Sequence, residues 1–349
     1  MTAPSPKPDI AWCHEAVQDV SRTFALTVDV LEEPMSSHIC LGYLLCRVAD
    51  TIEDAGHISP ESPVKLLRTF DAALDPARNG TMNEFRAAVD GWLPPSADRS
   101  ADWSVVAQSP TIWATFTNQP ESVQTAVIPL VREMVDGMTM FVERYADTGG
   151  LRINDRSELE QYCYYAAGTV GRLITNLLTR GNVSQKRARR LYDTADDLGL
   201  LLQLVNVSKD VYDDYTEENN VYLPAEWLAD EGIDQKSILR ADNREPVANV
   251  VERTASYAGT FLDDAQAYIE AMPLTHGNTT AAWSIPYLLS VGTIRELNTR
   301  PEDALTESGV KISRREVITV MEAASTADRN AIGELRETIA TKPYHQALD

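Results

Sequence analysis

The stretch LGLLLQLVNVSKDVYDDY, residues 198–215, decides how the rest of the chain is read. Leu198, Leu201, Leu202 and Val205 recur at the three- and four-residue spacing of an apolar helix face, and the run ends in Asp210 and Asp214. Four residues advance a helix by about 6 Å and nearly one full turn, so both carboxylates project from one face, with Asn206 a further turn back. A second stretch, GYLLCRVADTIEDAG at 42–56, repeats the arrangement with Asp50 and Asp54. Spacing alone says little, because chance yields roughly eight acidic pairs four residues apart in a chain this acidic, and most such pairs are solvated edges. Their context carries more weight. Tyr43 to Val48 and Leu198 to Val207 are strongly apolar, and aspartates on such faces cost several kcal/mol (order of magnitude) unless a cation or partner compensates. A shared metal site is therefore the stronger reading and a solvated edge the weaker one.

Outward from these two stretches the chain reads as helical nearly throughout, over about 11–31, 35–56, 62–75, 81–92, 120–147, 156–180, 185–215, 243–272, 278–299 and 311–341. Asp155 followed by Glu158, and Ser184, read as helix starts; Gly149–Gly150 and Gly181–Asn182 read as breaks. No repeat of 20–50 residues is present. The fold class expected is all-α, as one catalytic domain over 1–349 with an ordered core of about 11–341 and a surface loop insertion at 93–110.

The 349 residues carry 52 acidic against 31 basic side chains, a formal net charge of −21. With 44% hydrophobic residues the chain fills a real core, which excludes a disordered acidic protein. The charge would repel nucleic-acid phosphates over most of the surface, so no nucleic-acid partner is expected. Only 7 of the 31 basic residues are Lys. Scarce Lys and spread acids suggest a salt-adapted, halophilic source. Cys13, Cys40, Cys46 and Cys163 form no CxxC pair and read as buried thiols in a reducing compartment. The start, MTAPSPKPDIAW, has no leader character, and no apolar run approaches the roughly 20 residues of a membrane span. A soluble, cytoplasmic monomer is expected.

Two facing aspartate pairs suit Mg²⁺, which prefers oxygen ligands, keeps water, and joins carboxylates to substrate phosphates. Cys and His are not clustered, which disfavours zinc. Arg47 precedes Asp50 by three residues, Lys209 directly precedes Asp210, and Arg22 lies in SRTFAL at 21–26. Each alone is an ordinary surface charge; beside the carboxylates they become candidate partners for a diphosphate.

SRTFAL at 21–26, YLLCRVADTIED at 43–54, YCYYAAGTVG at 162–171 and LGLLLQLVNVSKDVYDD at 198–214, in this order, resemble the squalene and phytoene synthase family of head-to-head prenyltransferases. The resemblance runs from about Val17 to Met321. It implies an isoprenoid synthase-type helical bundle around a central cavity. WSIPYLLSVGTI at 283–294 and GVKISR at 309–314 resemble segments of the squalene synthase branch. That branch condenses two farnesyl diphosphates to presqualene diphosphate and reduces this to squalene with NADPH, or with NADH. The resemblance implies Mg²⁺ at Asp50, Asp54, Asp210 and Asp214, and diphosphate contacts from Ser21, Arg22, Tyr43, Arg47, Gln203, Asn206 and Lys209. It implies nicotinamide contacts from Lys311, Arg314 and Asn206, although a solvated lysine explains Lys311 equally well. Tyr162, with Tyr165 one turn away, is the implied catalytic phenol, and released diphosphate is an alternative base.

Two positions depart from the family pattern. In NNVYLP, Asn220 stands where the family carries an arginine, and Ser313 stands at an arginine position of the reductive segment. The alternatives are a phytoene or dehydrosqualene synthase, which needs no NADPH, and a non-catalytic helical binding protein. A hydrocarbon product implies transient membrane contact at its release, peripheral in kind.

Overall fold

The first helix of the chain starts where Asp9 Oδ1 accepts the Trp12 N–H at 2.9 Å, giving α1, Ile10–Val20. The computed structural model describes residues 7–55, 61–75, 77–273, 277–327 and 329–347, with the side chains of Arg22 and Glu61 outside that description. Periodicity suggests one helix over 11–31, but the backbone breaks at Ser21. Its extended geometry (φ −153°, ψ 103°) ends α1, and its Oγ accepts the Phe24 N–H at 3.3 Å to start α2, Arg22–Val30. A hydroxyl that can cap competes with helix continuation, and here the cap wins.

Helix α3, Met35–Glu53, is enclosed on nearly all sides. Leu41, Leu44, Leu45, Val48 and Ile52 are fully buried, each stabilising the fold by roughly 1.5–3 kcal/mol. After α4, Glu61–Leu74, Thr81 and Glu84 cap each other reciprocally at the start of α5, Met82–Val89. The stretch 93–110 is not a loop throughout, which corrects the expectation of a surface insertion. It contains α6, Ala101–Ala107, and leads into α7, Ser109–Thr117. Ser100 Oγ accepts the Trp103 N–H at 3.2 Å, and Trp103, Val105, Val106 and Ile112 are buried. A two-turn helix is too short for periodicity to register, and Pro94 and Pro95 dominate its neighbourhood.

Helix α8, Glu121–Arg144, is followed by α9, Arg156–Cys163, which continues through a π-helical turn at Tyr164–Gly168 into α10, Thr169–Thr179. Asp155 accepts the Glu158 N–H at 2.8 Å and Ser184 the Arg187 N–H at 3.4 Å, the two starts that the sequence suggests. Helix α11, Gln185–Lys209, ends at Asp210, and α12, Val211–Glu217, leaves from there instead of prolonging it to 215. The unanticipated α13, Ala225–Asp230, follows Pro224. The expected 243–272 helix is two, α14, Arg244–Gly259, and α15, Leu262–Ala271. Helix α16, Thr279–Thr299, agrees with expectation, and the last stretch divides into α17, Arg314–Thr326, and α18, Ala331–Thr341.

Helix α11 is the axis, packed against α10, α14, α15 and α16, while α3 and α4 flank α8. Among the described residues the only strand-like pairing is an isolated bridge between Arg152 and Val221. A smaller apolar cluster around Trp227, Leu228, Val250 and Val251 joins the main core through Tyr257, which packs on both. The result is a single all-α domain, and no helix among the described residues is long and apolar enough to cross a membrane.

The C-terminal helices are fastened by one buried ion pair. Arg295 of α16 donates two bonds of 2.9 Å to the two oxygens of Glu316, and a third of 2.6 Å to the Ile339 carbonyl. The Tyr344 N–H adds a bond of 3.2 Å to Glu316 Oε1, and the Glu316 side chain is 2% exposed. Glu316→Ala leaves Arg295 with Glu296 alone, at 2.7 Å on its own helix, and empties its most buried partner position; we expect a loss of about 3 kcal/mol in denaturant unfolding, against under 1 kcal/mol for an exposed pair such as Arg253–Asp230.

Candidate active site

A cavity of about 540 Å³ runs between α2, α3, the π-helical turn, α10, α11 and α16. Its wall changes character along α11, from Leu198 and Leu202 to Gln203, Asn206 and Lys209, with Asp210 next. At 1.5 Å per residue this grades from apolar to charged over about 18 Å. Met134, Ile174, Trp283 and Leu289 extend the apolar part; Asp50, Asp54, Asp214 and Glu218 extend the charged part.

The apolar part depends on close backbone packing. A Cβ at Gly199 would stand 2.5 Å from the Ala167 carbonyl oxygen, so α11 meets the π-helical turn backbone to backbone. One extra residue in that turn also changes which side chains face inward. Tyr162, Ala166, Ala167 and Val170 line the cavity, whereas Tyr165 lies over Gly137 of α8, where any Cβ would strike its ring at 2.1 Å. The structure therefore does not bring Tyr165 beside Tyr162. The reason is the π-helical turn, which a reading at 3.6 residues per turn cannot foresee.

At the charged end, Asp50 and Asp54 sit at the carboxyl terminus of α3, and Asp210 caps that of α11. Both helix dipoles thus add negative potential where the carboxylates already gather. Burial, then the charge of Asp50, pushes Asp54 up to about 7. Burial, then Asp54 and Asp214, pushes Glu218 up to about 10. Asp214 is raised by burial and by Asp210, and Glu53 by burial and by Asp54. Two cations answer this charge: Arg47 pairs with Asp50, and Lys209 pairs with Asp210.

Of the residues singled out in the sequence, Ser21, Tyr43, Arg47, Asp50, Asp54, Tyr162, Gln203, Asn206, Lys209, Asp210 and Asp214 all line this one cavity. The Arg22 side chain lies outside the described residues. Lys311 and Arg314 do not line the cavity; both are exposed, and the Arg300 guanidinium holds the Lys311 carbonyl at 2.7 Å. Their segment still runs beside the charged end, since a Cβ on Gly309 would be 3.7 Å from the Lys209 carbonyl oxygen.

Sequence reasoning missed a buried polar group behind the aspartates. The Tyr162 hydroxyl lies 3.0 Å from that of Tyr222 and 3.4 Å from Glu53 Oε2. Asn220 Nδ2 donates to Tyr222 at 3.1 Å and to Glu218 at 3.2 Å, while its Oδ1 accepts the Leu151 N–H at 2.8 Å. Asn220 is thus a neutral bridge among acids where the family pattern carries a cation. Burial and the Glu53 charge push the Tyr162 phenol well above its ordinary range, so it holds its proton and acts here as a donor. Glu53 stands beside Asp54 in the sequence and Tyr222 is the aromatic of the NNVYLP segment; nothing local marked Glu218.

Among the described residues no three acidic, His or Cys side chains close around an ion by themselves. Mg²⁺ does not require that, because it commonly takes one or two protein carboxylates and completes its shell with phosphate oxygens and water. Carboxylates raised by burial and by one another, with Asp50, Asp54 and Asp210 at two negative helix ends and Asp214 in the first turn of α12, fit such a cation.

A family profile described as squalene/phytoene synthase matches residues 17–316. The chain is 21% identical to the squalene synthase of Schizosaccharomyces pombe over 314 residues, 90% of this chain and 64% of that one. It is 24% identical to the Homo sapiens squalene synthase over 339 residues, covering 97% of this chain and 74% of that one. With the presqualene diphosphate synthase of Botryococcus braunii it shares 30% over 217 residues, 62% of this chain and 48% of that one. The chain thus spans less than two thirds of the length of two of these three relatives. A solved complex of TcSQS with the ligand E5700 superposes with a TM-score of 0.80 at 19% identity, over 97% of this chain and 91% of that chain. A dehydrosqualene synthase complex gives 0.63 at 20% identity, over 91% and 95%. These two likenesses establish the shared fold, and the profile matched over 300 consecutive positions, read with the cavity and its two aspartate pairs, makes this chain a member of the squalene/phytoene synthase family.

Proposed function

We propose that the protein joins two farnesyl diphosphates head to head to give presqualene diphosphate, and that it goes on to squalene with NADPH. The observation that carries the first half is the cavity wall that passes from apolar to charged, ending in two carboxylate pairs flanked by Arg47 and Lys209. The apolar length suits a prenyl chain and the charged end suits its diphosphate. Asp50, Asp54, Asp210 and Asp214 would hold Mg²⁺, which when bound supplies Lewis-acid neutralisation of the diphosphate.

The chain's own residues account for the rest of the condensation. Arg47 and Lys209 place positive charge where the diphosphate departs with the electron pair of its C1–O bond. Phe24 stacked on Tyr43, with ring centroids 3.9 Å apart, and Trp283 next to Phe24 offer aromatic faces to the allylic cation. The double bond of the second substrate attacks that cation, and one proton leaves as the cyclopropane closes. Tyr162 holds its own proton, directed to Tyr222 and Glu53, so the proton goes to released diphosphate.

Of the residues assigned to the nicotinamide cofactor, Asn206 lines the cavity, while Lys311 and Arg314 stand outside it on an exposed segment that passes beside Lys209. The reductive half rests on similarity to relatives named squalene synthase. The placement of Lys311 favours a second reading, a dehydrosqualene-type product formed without reduction.

With farnesyl diphosphate and Mg²⁺, we expect presqualene diphosphate without NADPH and squalene with it, resolved by chromatography. Phytoene made from geranylgeranyl diphosphate would overturn this, and dehydrosqualene as the product would select the second reading. Asp54→Asn and Asp214→Asn should each lower turnover by at least about 100-fold while leaving the far-ultraviolet circular dichroism unchanged.

Asp54 and Glu218 bind protons more tightly in the folded chain than in the unfolded one, so metal-free stability falls as pH rises from about 4 towards Glu218's value of about 10. Thermal melts from about pH 5 to about pH 9 should show this decline, and Mg²⁺ with pyrophosphate should reduce it; a decline untouched by Mg²⁺ counts against the metal assignment.

A further inference from the structure

Arg47 is surrounded by acceptors on every edge of its guanidinium. One terminal nitrogen pairs with Asp50, and the other donates to the Tyr43 hydroxyl at 3.0 Å and to the Val20 carbonyl at 3.2 Å. The remaining donor, Nε, faces Asp102 Oδ1 of α6 at 3.5 Å. Both atoms are buried, and neither has a hydrogen-bond partner among the described residues. A buried guanidinium N–H and a buried carboxylate oxygen, facing each other without a closed bond, form a contact that a small tilt would complete.

We propose that Asp102 is a positioning residue that holds Arg47 for the diphosphate. The inference rests on the proposed reading of this cavity as a Mg²⁺–diphosphate site. In the structure Arg47 draws on Asp50, one of the four candidate metal ligands, and the two uses of that carboxylate compete. When Asp50 turns to the metal, Arg47 loses its closest anionic partner and has only neutral oxygens and Asp102 to keep it oriented. Asp102 comes from the helix that the sequence conceals within 93–110, so α6 contributes to the site without lining the cavity.

Simple electrostatics and positioning predict opposite signs. Asp102→Asn removes a negative charge close to an anion site, which by charge alone would tighten diphosphate binding. If Asp102 orients Arg47, binding weakens instead. The test is calorimetric titration of inorganic pyrophosphate in the presence of Mg²⁺ into wild type, Asp102→Asn, Arg47→Ala and the double variant. We expect Asp102→Asn to weaken binding roughly fivefold to tenfold in wild type and to have no effect on the Arg47→Ala background. Unchanged or tighter binding by Asp102→Asn, or an equal loss on both backgrounds, overturns the inference. Absence of Mg²⁺-dependent pyrophosphate binding by wild type would instead refute the site reading beneath it. The Asp102 side chain is 39% exposed and Asn matches it in shape, so unfolding should not obscure the result; an unchanged melting temperature checks this.

Discussion

Negative charge concentrated at two helix ends is the constraint on which this molecule depends. The carboxyl termini of α3 and α11 converge with Asp50, Asp54, Asp210 and Asp214 in one cavity, and Glu53 and Glu218 stand behind them. Such a cluster persists only because the surrounding helices over-determine it. The enclosed α3, the axial α11 and the apolar contacts along both fix the carboxylates in place at an electrostatic cost that core burial offsets.

Much of the fold and of the charged site was legible because long amphipathic helices state their faces in their spacing. Asp50, Asp54, Asp210 and Asp214 could be paired from sequence: the first two follow the 3.6-residue repeat of α3, and the break after α11 still leaves the Asp214 N–H on the Asp210 carbonyl at 2.9 Å, so the four-residue relation survives into α12. What escaped notice arises between segments. Glu218 follows α12 without any periodic signal, Tyr222 lies in a quoted segment but its reach to Tyr162 does not show in sequence, and Asp102 sits on a helix of two turns beside prolines. Ser21 breaks a helix that the apolar pattern alone would continue, because a single hydroxyl bond outweighs one turn of weak periodicity.

Tyr162 and Tyr165 show the same limit at finer scale. Three residues apart, they share a face only if the helix is regular, and the π-helical turn at 164–168 sends one to the acids and the other onto Gly137. Asn220 shows the reverse. A departure from the family pattern, noticed as a loss of charge, turns out to be a buried bridge whose amide serves Tyr222 and Glu218 together. Its neutrality leaves the acids behind the cavity without a built-in counter-charge.

The meeting of Gly199 with the Ala167 carbonyl bears on how this protein could diversify. Where a wall is made of main chain already in contact with main chain, no side chain remains to be trimmed. At Gly199 the helix crossing can be neither filled nor opened by a side-chain change, because any Cβ there meets main chain. Extra room in the apolar part would have to come from side chains such as Met134, Ile174, Leu198 or Leu289, so variation in the cavity's size belongs at those positions and not at the helix crossing.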